Sequence, residues 1–165
     1  MRDSSPSPLE YRQALGCFAT GVVVVTAIGP SGPMGLTINS FTSVSLAPRL
    51  VLWCLDQDSE RGRIFLQTPR FGLNVLAAGQ RDLAARFAEP GSNAWPIEAA
   101  RTPDASGLQL EGGLAFLDCR AVQRIELGDH IVIVGEVEAF CARGGDGLTY
   151  YQGRYGCAPA QWPTP

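Results

Sequence analysis

Two long segments of alternating polarity, separated by a tight turn, constrain this chain more than any other feature. Leu114 to Ile125 and Ile131 to Ala142 flank Leu127-Gly-Asp-His130, and Gly128-Asp129 is a dipeptide of the kind that joins antiparallel strands. Leu117, Cys119 and Ala121 alternate with Asp118, Arg120 and Val122, the period of a strand with one face in a core and the other toward solvent.

The other apolar segments read as shorter strands. Val22 to Ile28 is a β-branched run closed by Gly29-Pro-Ser-Gly-Pro33, and a second strand around Met34 to Ser40 completes an opening hairpin. Leu50 to Leu55 is almost wholly apolar and is expected to be buried on both sides, and Phe71 to Leu76 makes a fourth strand. Helices are short. Ser7-Pro8-Leu9-Glu10 is a capping box with proline at the first helical position, and its helix is expected to turn Leu9, Ala14, Leu15 and Phe18 toward a core and to end at Gly21. Asp56-Gln-Asp-Ser59 offers caps for a helix through Phe65, and Gln80 to Ala88 places Leu83, Ala84 and Phe87 at helical spacing before Pro90. The polar, proline-containing stretch from Glu89 to Gln109 reads as a long surface excursion. A few short helices inserted in a mostly antiparallel sheet predict a mainly β fold, a closed or nearly closed barrel. At 165 residues the chain is sized for one domain that buries roughly 70% of its unfolded surface. Residues 1–8 read as a disordered leader, 9–157 as the domain and 158–165 as a tail.

Composition removes several chemistries. All 13 basic residues are arginine, so no Schiff-base lysine, lysine general base or Walker phosphate loop can be present. The single histidine, His130, excludes metal sites with two or more histidine ligands, and no metal is expected. Cys17, Cys54, Cys119, Cys141 and Cys157 are odd in number and without a Cys-x-x-Cys pair, as in a reduced, intracellular protein. A net charge of −3 without runs of like charge argues against nucleic acid or an anionic membrane as partner. No stretch approaches the about 18 apolar residues of a membrane span, and the N-terminus lacks the apolar core of a signal peptide, so a cytoplasmic protein is expected. No Rossmann glycine fingerprint follows any strand, and no Gly-x-Ser-x-Gly elbow supports a serine hydrolase. What is left suits a protein that binds cofactors carrying their own reactivity.

The polar residues collect in Gly35-Leu-Thr-Ile-Asn-Ser-Phe-Thr-Ser-Val-Ser45, between two apolar strands. Hydroxyls and amides at strand ends can line a pocket for a planar, hydrogen-bonding ring, or can simply bond their own turns. Together with Phe18-Ala-Thr-Gly-Val-Val-Val-Val-Thr26, Leu50-Val-Leu-Trp-Cys-Leu-Asp56, Phe71-Gly-Leu-Asn-Val-Leu76, Phe87-Ala88 and Gly128-Asp-His130 before Gly135-Glu-Val137, this segment resembles the short-chain flavin reductases that serve two-component monooxygenases. The likeness runs from about Tyr11 to Tyr155.

That resemblance implies a split β-barrel of Greek-key, antiparallel type, with FMN or FAD near a homodimer interface. It implies NADH or NADPH as reductant and reduced flavin leaving for a monooxygenase partner. Residue by residue it puts Thr37, Ile38, Asn39 and Ser40 along the flavin ring and Ser43 and Ser45 toward the ribityl chain. Cys54, Asp56 and Ser59 would lead toward the phosphate, with Cys54 a packing residue, and Arg61 would meet the phosphate with Arg63 and Arg86 in reserve. Phe87 and Ala88 belong to the same flavin site. His130 falls beside the nicotinamide, orienting its carboxamide or meeting the pyrophosphate; Tyr150 to Gly153, with Tyr151 and Gly153 in contact, would close over the dinucleotide or form a last barrel strand. Two alternatives stay open: a flavoprotein reductase of a corrinoid or iron complex, and a flavin-binding protein without turnover. Gly128-Asp-His130 argues against the latter, since a flavin store needs no nicotinamide contact.

Overall fold

The computed structural model describes residues 7–89, 99–101 and 108–160. Helix α1 (Pro8–Gly16) leads into β1 (Thr20–Gly21), β2 (Val23–Gly29), β3 (Gly32–Ile38), β4 (Thr42–Leu46) and β5 (Arg49–Asp56). Helix α2 (Arg63–Gln67), β6 (Arg70–Val75) and α3 (Arg81–Ala88) follow, then β7 (Ala99–Arg101), β8 (Leu108–Leu110), β9 (Ala115–Leu127), β10 (His130–Ala142), β11 (Gly147–Tyr151) and β12 (Arg154–Ala158). Every strand pairing is antiparallel. One seven-stranded sheet runs β3-β2-β6-β9-β10-β5-β4, a three-stranded sheet runs β1-β11-β12, and β7 pairs with β8. The fold is therefore mainly β and of the split-barrel type, and no ladder between β3 and β4 closes the large sheet.

The valine run explains how one sheet serves two cores. Val22 through Ala27 are all buried, and period-two geometry sends alternate residues to opposite faces. Val23, Val25 and Ala27 join the larger cluster, where Trp53 meets Phe65 and Phe71 edge-on with ring centroids 5.3 and 5.8 Å apart. Val22 and Val24 join the second, with Leu76, Ala84, Phe87, Leu110 and Leu148, so α3 and β11 seal that face. Gly35 is needed here: a Cβ would stand 2.5 Å from the Phe87 ring.

Thr26 and Asn74, buried on the second face, hold β8 to the sheet. The Thr26 hydroxyl donates to Leu108 O at 2.7 Å and accepts from Leu108 N at 3.1 Å. Asn74 donates through Nδ2 to Leu108 O at 3.1 Å and accepts from Leu110 N at 2.8 Å. This corrects the expected excursion from Glu89 to Gln109: residues 90–98 and 102–107 lie outside the described residues, but 99–101 and 108–110 form a hairpin whose Leu108 and Leu110 are core.

Four further expectations are corrected. Leu50 to Leu55 is not buried on both faces; Val51, Trp53 and Leu55 are buried while Leu50, Leu52 and Cys54 are half-buried, because β5 lies second from the sheet's end. Asp118, expected toward solvent, is buried because Arg70 clamps it at 2.8 Å and reaches Glu138 at 2.5 Å, while Arg120 bridges Glu136 and Glu138. Helix α1 ends at Gly16 rather than Gly21. None of its residues is buried, and Leu9, Leu15 and the following Phe18 are 65%, 57% and 77% exposed, so they face away from the core. The predicted leader lies outside the described residues up to residue 6, and the predicted tail does so from residue 161.

Asn74→Ala leaves the buried Leu110 amide without its partner and the Leu108 carbonyl with Thr26 alone, a loss of about 2 kcal/mol that urea unfolding should read as a lower midpoint with an unchanged slope.

Candidate functional site

The end of β3, the end of β5 and the start of β10 open onto one cleft of about 820 Å³. Its walls are Leu36 to Ser40 from β3 and the segment after it, Cys54 and Asp56 from β5, Asp58 to Arg61 from the following loop, Ala88 from α3 and His130 from β10. A smaller extension of about 190 Å³ shares Thr37, Ile38, Asn39 and Ala88 and adds Val22, Tyr150 and Tyr155. Cavities of a few hundred to about 1,000 Å³ with few polar groups are the usual size for small-molecule ligands.

Ladder register brings the walls together. His130 is paired with Asp56 across β10 and β5, and with Leu127 across the β9–β10 turn. That two-residue turn needs Gly128 at φ +63°, as expected where the first central residue takes a positive φ. The Gln57 amide donates to the Asp129 carbonyl at 3.1 Å, tying the loop after β5 to the same turn. Within that loop Asp58 N donates to Asp56 Oδ1 at 2.9 Å, and Gly62 N donates to the Ser59 hydroxyl at 3.1 Å. Gly62 admits no side chain, since a Cβ would stand 2.4 Å from Leu55.

Several polar side chains of the cleft serve the scaffold. The Thr37 hydroxyl donates to Ala84 O at 2.8 Å, fixing α3 against β3. Ser40 Oγ accepts from Cys54 N at 3.0 Å and donates to Cys54 O at 3.3 Å, bridging the gap on the open side of the sheet. Burial pushes the Cys54 thiol up, against a smaller lowering by Ser40, so it is a neutral packing group. Asn39 stays exposed at the mouth. His130, its side chain 44% exposed, places Nδ1 2.7 Å from Asp129 Oδ1. The cleft thus presents an amide, an imidazole, an arginine, three carboxylates and backbone groups to whatever enters.

Of the residues singled out from the sequence, Thr37, Ile38, Asn39, Ser40, Cys54, Asp56, Ser59, Arg61, Ala88 and His130 share this cleft. The others do not line it. Ser43 and Ser45 lie on β4, whose residues are mostly exposed. Phe87 is 4% exposed, packed beneath the cleft in the second core, and Arg86 is on the exposed side of α3. Tyr151 is exposed, and Gly153 lines a separate hollow with Arg12, Gln13, Gly16 and Gln152. Their neighbours Tyr150 and Tyr155 reach the cleft instead, their rings 5.4 Å apart at 62°. Sequence could have pointed to them: in a two-residue hairpin turn with Gln152 and Gly153 both at positive φ, Tyr150 and Tyr155 are directly paired and so share a face. Asp58 and Glu60 also line the cleft, and together with Asp56 they bring three carboxylates into the cleft that Arg61 lines.

The family profile described as "Flavin reductase like domain" matches residues 15–158. The FMN reductase (NADH) SmoA of Agrobacterium fabrum is 43% identical over 150 residues, covering 88% of this chain and 83% of that protein. Other curated relatives are longer, and the chain spans 47% and 48% of two of them. Among solved structures, BorF, the flavin reductase component of a bacterial two-component tryptophan halogenase, superposes with TM-score 0.87 at 33% identity, covering 93% of this chain and 99% of that one. The Streptomyces globisporus NADH:FAD oxidoreductase SgcE6, in complex with NAD and FAD fragments, gives 0.84 at 35% identity over 90% of both chains.

Burial predicts which thiols react. Cys119, fully buried, is pushed up to about 12 by desolvation first and by Asp118 second, and Cys54 is also raised. Iodoacetamide at neutral pH should label exposed Cys17, Cys141 and Cys157 and spare Cys54 and Cys119, as peptide mass spectrometry will show.

Proposed function

The chain belongs to the flavin reductase-like family, and from that premise we propose that it is an NADH-dependent flavin reductase that passes reduced FMN or FAD to a separate monooxygenase component. The observation that carries the reading is the joining of Thr37 to Ser40, Ser59, Arg61 and His130 in one cleft large enough for a flavin ring beside a nicotinamide. Relatives named as an FMN reductase and an FAD reductase support flavin as the acceptor over a corrinoid or an iron complex.

In this reading the two bound nucleotides supply the redox chemistry, hydride passing from nicotinamide to flavin, and the protein contributes geometry and polarity. The strand end from Thr37 to Ser40 lies along the flavin ring, where donors favour the charge that develops as the ring is reduced. Arg61 is the arginine that lines the cleft, whereas Arg63 and Arg86 do not, so the phosphate is assigned to Arg61 with Ser59. Relatives named as NADH-dependent support NADH as the reductant. Alignment of the two rings matters more for rate than any acid or base.

Homodimer formation is part of the proposal. A nine-residue helix is marginal by itself, yet α1 carries its large apolar residues outward. A second protomer packed on Leu9, Tyr11, Leu15 and Phe18 would cover them. All five cysteines are free thiols, which supports a reducing, cytoplasmic setting. Among the described residues no helix is long and apolar enough to cross a membrane.

An anaerobic assay crossing NADH and NADPH with FMN and FAD tests the function; NADH oxidation that requires added or bound flavin is expected, and none with any pair would end the reading. His130→Ala should raise the KM for NADH by about tenfold with at most a twofold change for flavin, the effect of one lost hydrogen bond to a charged or polar ligand group. Phe18→Asp with Leu15→Asp should halve the mass seen by light scattering if α1 is the dimer face.

A further inference from the structure

His130 is the chain's one imidazole, and its immediate neighbour is not part of the cleft wall. Asp129 has its side chain 93% exposed, yet it is tied at two points: Oδ1 to His130 Nδ1 at 2.7 Å and its carbonyl to the Gln57 amide at 3.1 Å. Asp56, Asp58, Glu60 and Arg61 stand around the same space. Among the described residues only Asp129 is bonded to the ring.

The protonation pattern follows from chemistry. The hydrogen bond with His130 holds the Asp129 carboxyl below the usual carboxylate range. An ionised carboxylate only accepts, so the ring nitrogen facing it must carry the hydrogen. For a neutral imidazole this leaves Nε2 without a proton, an acceptor rather than a donor. Without such a partner, neutral histidine in water favours the opposite tautomer.

We propose that Asp129 is a positioning residue that holds the His130 ring in its Nδ1–H tautomer, so that Nε2 accepts a hydrogen bond from an amide N–H of the bound dinucleotide, as the nicotinamide carboxamide supplies. This rests on the cleft being the nicotinamide site. It assigns His130 to the carboxamide and not to the pyrophosphate, which offers no donor. Gln57 and Gly128 complete the device, the first anchoring the turn to the loop after β5 and the second permitting its backbone.

With a single histidine, imidazole ¹⁵N resonances need no assignment. At mildly alkaline pH the ligand-free protein should show a protonated Nδ1 and an unprotonated Nε2, and Asp129→Ala should reverse the pair. Asp129→Asn, which keeps the size of the side chain, should shift the pair in the same direction. Both variants should raise the KM for NADH by about fivefold, with kcat and the flavin KM changed less than about twofold, and neither should add anything in the His130→Ala background. An Nε2–H tautomer in the unaltered protein would overturn the proposal, as would a KM effect that persists without His130. Failure of the unaltered protein to oxidise NADH with any flavin would remove the nicotinamide site itself, whereas the tautomer spectrum tests the Asp129–His130 bond independently.

Discussion

The cleft depends on the pairing of β5 with β10. His130 stands opposite Asp56 and Ile133 opposite Trp53 in one continuous ladder. Slipping that ladder by one residue would turn Trp53, Val51 and Leu55 from the core to the other face and bring half-buried neighbours inward. Trp53, fully buried between Phe65 and Phe71, makes such a slip very costly. The hydrophobic core on one face of the sheet thereby brings the His130 backbone to the cleft, and polar contacts of the turn act on the ring from there.

The same economy of parts runs through the polar residues. Thr37 and Ser40 sit in the cleft, but their hydroxyls join β3 to α3 and to β5, so they shape the walls more than they read a ligand. What faces the cavity is an amide, an imidazole and a set of charges, and this accords with a site in which both reacting groups arrive with their ligands. Away from the cleft, the buried Thr26 and Asn74 tie β8 to the sheet.

Much of this was legible in the residues. The β9–β10 hairpin, the valine strand, α3 and the capping box of α1 follow from local sequence pattern and turn chemistry, whereas burial of the valine strand on both faces does not. The strand Thr42–Leu46 was not legible, because its serines and threonines suit a turn as well as an exposed strand near the sheet's end. Leu108 and Leu110 were hidden in a polar stretch, and only partners more than 30 residues away, Thr26 and Asn74, give them a place in the core. Asp118 likewise reads as a solvent residue until Arg70 is brought beside it.

By itself the sequence determined the antiparallel β character, the absence of lysine and metal-binding histidine chemistry, and, through ordered motifs, the family to which the chain belongs. Tertiary structure decided which members of those motifs share a cleft: His130 with Asn39, Ser59 and Arg61, but Tyr150 and Tyr155 rather than Tyr151 and Gly153, and neither Ser43 nor Ser45. The reason is physical. Strand periodicity is written in neighbouring residues, whereas the side of a sheet on which a residue meets distant partners is set by ladder register and by how two cores close around it.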